Sequence, residues 1–273
     1  MSDIKIGLQL YSIRDKMEAD MEAALRAVKE IGYDYVELAG YFNHSAEEIL
    51  GWLDKYGLKC ISVHQMPEFY NTDDGIRFVK ALGPRYSVIP WYSKDHYISD
   101  MDGTLAYFTE LGEKLLANGL ELLYHNHDFE LATVGDSTIL DRIYNTVPAN
   151  LLNPEFDTCW IKYAGYDPCD YLRTYAGRYK LVHLKDFVAK ELGGGPVYAL
   201  IDKDGKELPA ASRDERGFAF RPVGSGMQDM PAIIKTAIEG GAEYFIVEQD
   251  QCYEQDSLEA AKQSREYLRS LGY

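Results

Sequence analysis

Eight times along this chain a short apolar, β-branched run is followed by a longer segment of helical period, and that alternation restricts the fold more than any other feature. Ile4 to Leu10 reads as a strand, and Met17, Met21, Ala24, Leu25, Val28 and Ile31 then mark one face of a helix ended by Gly32. Tyr35 to Leu38 precedes a helix whose N-cap is Ser45, with Glu48 at the capping-box position. Leu58 to His64 precedes a helix near Asp73 to Leu82, Ser87 to Pro90 one from about Thr104 to Asn118, and Leu120 to His125 one near Ile139 to Tyr144. Asn153 to Asp157 leads to a helix at Pro168 to Tyr175, Tyr179 to Leu184 to one near Met230 to Glu239, and Tyr244 to Glu248 to a last helix from Ser257 to Leu271. Strict β-then-α order implies parallel strands, and eight repeats in 273 residues predict an α/β fold, a closed parallel eight-stranded (β/α)8 TIM barrel spanning 1–273. No G-x-G-x-x-G follows the first strand, which removes the motif of a dinucleotide-binding sheet.

One connection breaks the pattern. About forty residues, 187–227, follow the seventh strand where two to six are usual, and the stretch Tyr198 to Leu208 within it reads as a small hairpin. Such an excursion at the active end of a barrel is a candidate lid or oligomer contact. The net charge of -16 repels phosphate backbones and anionic lipid, so nucleic acid and membrane surfaces are not expected partners. No apolar stretch approaches the roughly 20 residues of a membrane helix. The N-terminus lacks the basic and apolar regions of a secretory signal, and Cys60, Cys159, Cys169 and Cys252 are scattered without a C-x-x-C pair. A cytoplasmic location with reduced thiols is the expectation.

In a barrel of this kind the chemistry sits at the carboxyl ends of the strands. Strand by strand the polar residues there are Gln9, Glu37, His64, Trp91, His125 with His127, Asp157, His183 with Lys185 and Asp186, and Glu248. Ionisable groups are seldom buried unless paired or bound to a metal, and here many converge on one rim. Each alone reads as hydrogen-bonded structure; together, imidazoles with carboxylates form a donor set for Mn, Zn, Co or Fe.

The residues also carry a family resemblance. Gly-Leu-Gln-Leu-Tyr-Ser at the first strand, Tyr-Val-Glu-Leu at 35–38, Ser-Val-His at 62–64, Tyr-His-Asn-His at 124–127, Glu-Phe-Asp-Thr-Cys-Trp at 155–160, Val-His-Leu-Lys-Asp at 182–186, Pro-Val-Gly-Ser-Gly at 222–226 and Ile-Val-Glu-Gln-Asp at 246–250 resemble, in order, the xylose isomerase-like TIM barrel superfamily and its sugar phosphate isomerase/epimerase branch. The resemblance implies one divalent ion, most often Mn, with Zn, Co, Fe or Mg as alternatives. It implies ligands after the fifth to eighth strands, which map onto His125, Asp157, His183 and Glu248. His125 departs from the pattern, standing where relatives carry a Glu, and Trp160 replaces a His that often follows the sixth-strand Asp. A carbohydrate substrate and a homo-oligomer are implied as well.

The expected activity is that of a metal-dependent isomerase or epimerase moving a proton beside the carbonyl of a sugar, inosose or keto-sugar. Glu248 and His125 or His127 are the catalytic candidates, with Glu130 as an alternative second base. Glu37, His64 and Lys185 have the character of hydroxyl binders, although Lys185 and Asp186 equally read as a strand-end pair. Trp91 and Trp160, with Tyr92 and Phe187, suit stacking on a sugar ring but also suit core packing. Arg213, Arg216 and Arg221 read as ion-paired surface rather than a phosphate site. The alternative activity is a keto-sugar lyase or dehydratase, in which the histidine pair serves β-elimination. A non-catalytic ligand- or partner-binding barrel is a further alternative, and an endonuclease IV-like phosphodiesterase is disfavoured by the acidic charge.

Overall fold

The computed structural model describes residues 4–193, 217–253 and 255–273. Eight parallel strands close into a barrel: β1 (Lys5–Gln9), β2 (Tyr35–Ala39), β3 (Lys59–His64), β4 (Tyr86–Ile89), β5 (Glu121–His125), β6 (Leu152–Asp157), β7 (Leu181–Leu184) and β8 (Tyr244–Val247). Each strand pairs with its sequence neighbours, and β8 returns to β1 with Lys5 opposite Tyr244 and Leu8 opposite Val247. Strand ends predicted from the sequence differ from these by at most two residues. The capping box at Ser45 and Glu48 is formed, and Gly32 ends its helix at φ 102°, a left-handed conformation that favours glycine.

The fold places the polar residues by parity. Side chains two apart on a strand share a face, so residues aligned with the axis form an apolar floor and then a polar layer. Ile61, Tyr86, Val88, Leu123, Leu181, Tyr244 and Ile246 make the floor. Two residues beyond Leu123, Leu181 and Ile246 come His125, His183 and Glu248, all buried. The β2–β3 ladder slips by one residue after Val36, so that Glu37 pairs with Ser62 and Ala39 with His64. Bulges of this kind re-aim side chains near active sites. A methyl on Gly7 would come within 2.8 Å of Ile246 Cδ1, so a larger residue there would push that side chain aside.

Short helices at Lys94–Ser99 and Thr158–Tyr163 were not expected from periodicity, being too brief to show it, and the first helix, expected as one from Met17 to Ile31, is split at Asp20 into Arg14–Ala19 and Met21–Ile31. The excursion after β7 begins and ends in an antiparallel ribbon, Asp186–Val188 with Ala219–Arg221. Its anchor is the Asp186 carboxylate, which accepts from the backbone N–H groups of Phe187, Gly224, Gly226 and Gln228 at 2.9–3.2 Å. The hairpin expected at Tyr198 to Leu208, with Arg213 and Arg216, lies outside the described residues. Among the described residues no helix is long and apolar enough to cross a membrane.

Candidate active site

Two polar clusters share the carboxyl end of the barrel. The deeper one holds Gln9, Glu37, His64, His125, Glu155 and His183. His64 Nε2 lies 2.8 Å from Glu155 Oε2 and 3.0 Å from Glu37 Oε1. His183 Nε2 lies 2.8 Å from Glu37 Oε1 and 3.2 Å from Glu155 Oε2. His125 Nδ1 is 3.1 Å from the same Glu155 oxygen, and Gln9 donates to Glu37 Oε1 at 2.7 Å. Burial alone would keep Glu37 neutral, but His64 and His183 hold its carboxyl well below the usual range. Burial likewise opposes charge on His64, yet Glu37 and Glu155 push it up to about 10.

The outer cluster is built around Lys185, which is 1 % exposed. Its ammonium sits 2.9 Å from Asp157 Oδ2, 2.8 Å from Glu248 Oε2 and 2.8 Å from Asp250 Oδ1. The ring of Trp160 lies beneath it, 5.1 Å from the nitrogen. Asp157 is fixed because its other oxygen caps the helix that follows β6, accepting from Cys159 N at 2.8 Å. Glu248 also accepts from His183 Nδ1 at 2.9 Å, which joins the two clusters. Burial pushes all three carboxyls up. Lys185 and His183 reverse this for Glu248 and hold it well below the usual range. Asp250 rises to about 6, with Lys185 opposing the rise and Glu248 adding to it. One ammonium thus keeps one carboxylate ionised beside another that takes up a proton readily, the separation that divides acid from base in enzymes.

Beside this cluster opens a cleft of about 830 Å³ between the loops after β1, β2 and β8, lined by Tyr11, Arg14, Phe42, Asp250 and Tyr253 among others. Its size is that of a small-molecule site. Arg14 shapes one wall, donating to the backbone oxygen of Asp250 at 2.6 Å.

The structure brings Glu37, His64, His125, His183, Asp157, Lys185 and Glu248 together, seats His127 and Trp160 against them and packs Trp91 against the core. His127 is buried on the His125 side, its ring 5.1 Å from that of His125. Trp91 is half-buried against the core, whereas Trp160 is fully buried and stacked on Phe218. Its faces meet protein, so it supports Lys185 rather than presenting a surface to the cleft. Glu130 is not at the cluster: its carboxylate accepts from Tyr124 OH at 2.6 Å and from His127 N at 2.8 Å, bracing the turn that carries the two histidines. Lys185 and Asp186 take different partners. Sequence reasoning missed Glu155 and Asp250 as site residues. Each lies two positions from a named candidate, Asp157 or Glu248, and strand parity was the available signal.

Residues 25–271 match the family described as xylose isomerase-like TIM barrel. The chain belongs to the xylose isomerase-like TIM barrel family. Among its curated relatives, an inosose dehydratase of Geobacillus kaustophilus is 30% identical over 92% of this chain and 87% of its own length. One from Clostridium botulinum is 28% identical over 59% of this chain, and there the match spans about half of the relative, 51%. Solved structures of the same fold include a sugar phosphate isomerase/epimerase from Parabacteroides distasonis, with TM-score 0.78, 21% identity and coverage of 99% of this chain and 95% of that one. The IOLI protein with a bound zinc atom superposes with TM-score 0.70 at 17% identity, over 98% of each chain.

This xylose isomerase-like barrel offers two overlapping donor sets for a cation. His125, Asp157, His183 and Glu248 form one, and His64, His125, Glu155 and His183 the other, with the donor atoms of each set within 4.8 Å of one another. Mixed imidazole and carboxylate donors fit a first-row divalent ion better than the all-oxygen shells of Mg or Ca.

Proposed function

We propose that this protein is a divalent-metal-dependent lyase that eliminates water from an inosose or keto-sugar, beginning with removal of the proton beside the carbonyl. The observation that carries this reading is the position of Glu248 and Asp250, two residues apart on one loop and each 2.8 Å from the Lys185 ammonium. Both carboxyls therefore act from the same side of a bound substrate. Elimination needs a base for the C–H proton and an acid for the departing hydroxyl, and one side can supply both. Epimerisation needs bases on opposite faces, and the fifth strand, where the family resemblance implies a carboxylate, carries His125, whose Nδ1 is engaged by Glu155.

In this reading Glu248 takes the proton and Asp250, which lines the cleft, protonates the leaving hydroxyl. Lys185 holds the two apart in charge and steadies negative charge as it develops. His125 and His183 with neighbouring carboxylates would hold the cation, which would supply Lewis-acid polarisation of a carbonyl oxygen. Arg14 and Tyr11 orient hydroxyls at the cleft wall. The name shared by the curated relatives supports the reading.

The test is incubation of metal-loaded protein with a panel of inososes and keto-sugars in heavy water. Loss of water with an unsaturated ketone in the mass spectrum is expected. Deuterium incorporation without loss of water would instead establish the isomerase or epimerase, and neither event on any substrate would overturn both.

A further inference from the structure

The buried carboxylates of the deeper cluster show a mismatch in bonding. Glu155 Oε2 is approached by three imidazole nitrogens, from His64, His125 and His183, at 2.8, 3.1 and 3.2 Å. Its Oε1 is buried with no hydrogen-bond partner among the described residues. Glu37 repeats the pattern, with Gln9, His64 and His183 at 2.7–3.0 Å from Oε1 and none on Oε2. A carboxylate oxygen offers about two lone-pair sites, so three donors on one oxygen beside an empty one is a poor hydrogen-bond arrangement. It is, however, how ligands crowd around a cation: donors about 2.1 Å from an ion lie about 3.0 Å apart at right angles and about 3.4 Å apart in a tetrahedron.

In the other donor set Asp157 Oδ2 likewise has no well-aligned hydrogen bond, but a cation already stands beside it. Asp157 and Glu248, which the family resemblance assigns to the metal, both hold the Lys185 ammonium. A divalent ion placed between them would have to displace a buried cation.

We propose that the cation binds one layer deeper than the family pattern implies, on His64, His125, His183 and Glu155, with Lys185 standing as a built-in cation between Asp157 and Glu248. Glu37 lies at the edge of this site, held by Gln9. Glu248 becomes an outer partner: with Nε2 of His183 on the ion, Nδ1–H donates to the Glu248 carboxylate, the carboxylate–imidazole–metal relay that orients metal-bound histidines. That leaves Glu248 and Asp250 outside the metal shell for acid and base work. The inference rests on the metal-dependent reading above and assigns that metal its ligands.

The test measures Co2+ and Zn2+ affinity by competition with a chromophoric chelator, alongside bound metal by mass spectrometry and folding by circular dichroism. The variants are Glu155→Gln, His64→Ala, Asp157→Asn and Glu248→Gln. The first two should weaken binding by more than about 100-fold, Glu248→Gln by the roughly 10- to 100-fold of an outer-sphere partner, and Asp157→Asn by less than about 10-fold. The reverse ranking overturns the deeper site while leaving a metal enzyme. Wild-type protein that takes up neither ion overturns both readings. Should Glu155→Gln or His64→Ala not fold, X-ray absorption at the cobalt edge of wild-type protein decides. Three imidazoles are expected, and two imidazoles with two carboxylates overturn the proposal.

Discussion

Replacing Lys185 by Met keeps most of the side-chain volume and removes the charge that three carboxylates share. Asp157, Glu248 and Asp250 all lie within 2.9 Å of the ammonium and are at most 7 % exposed. Breaking a buried ion pair from one side costs about 3–5 kcal/mol, because the remaining charge stays in a medium that solvates it poorly. At an unfolding entropy of about 2.1 cal/mol/K per residue, that corresponds to a fall in Tm of roughly 5–10 °C for a chain of this length. The loss should depend on pH in a definite sense. Without the ammonium, burial and mutual repulsion raise the carboxyls, so the folded variant binds more protons than its unfolded chain between pH 5 and 8, and its stability falls as pH rises. The wild-type protein escapes this for Glu248, whose carboxyl is held low. Thermal unfolding of both proteins at pH 5.5 and pH 8 measures the gap, which should widen toward pH 8. A Tm difference below about 1 °C at pH 8 would refute the reasoning, since it would mean that the ammonium is not the counter-charge of these groups.

Three further outcomes are expected. Asp250→Asn should lower turnover by about 10²- to 10⁴-fold while leaving exchange of the substrate C–H proton with heavy water, whereas Glu248→Gln should lose both; equal loss in the two variants would undo the division of acid from base. Burial pushes the Glu130 carboxyl from 4.5 up to about 8, so the folded protein keeps a proton that the unfolded chain releases, and this contribution is lost as pH rises through that window. Glu130→Gln should therefore gain stability relative to wild type between pH 5 and 8.5, by up to about 5 kcal/mol in urea unfolding, and parallel profiles would count against it. Asp186→Ala removes the acceptor of four backbone N–H groups and should cost about 3 kcal/mol, read as a lower Tm; a loss under about 1 kcal/mol would show that water replaces the carboxylate there.

The barrel was legible because its signal is repeated: each strand is a short apolar run and each long helix carries its own cap and face. Parity along the strands also made most of the polar layer legible, since His125, His183 and Glu248 stand at strand ends. What could not be read was partnership. Lys185 as hydroxyl binder and Lys185 as counter-ion are the same letter, and only closure of the barrel brings β6, β7 and the loop after β8 around one nitrogen. Glu155 was passed over because it precedes Asp157, and a carboxylate inside an apolar strand is visible as a site only when three imidazoles from β3, β5 and β7 are seen to face it. The ribbon at the foot of the long excursion was hidden for a similar reason, its two strands being three residues each and thirty apart.

Charge explains why the site divides into two layers. The deeper cluster carries two carboxylates, Glu37 and Glu155, which a bound divalent ion would neutralise; the outer one carries three against a single lysine, which keeps Glu248 ionised. Were the metal seated among Asp157 and Glu248 instead, the same ion would have to serve the outer carboxylates while Lys185, its natural competitor, found no other acid within reach but Asp250. A base left outside the metal shell keeps its lone pairs free for the substrate proton, which a carboxylate bound to a cation does not. The arrangement of ligands and the assignment of the base are therefore one question, and the cobalt measurements bear on both.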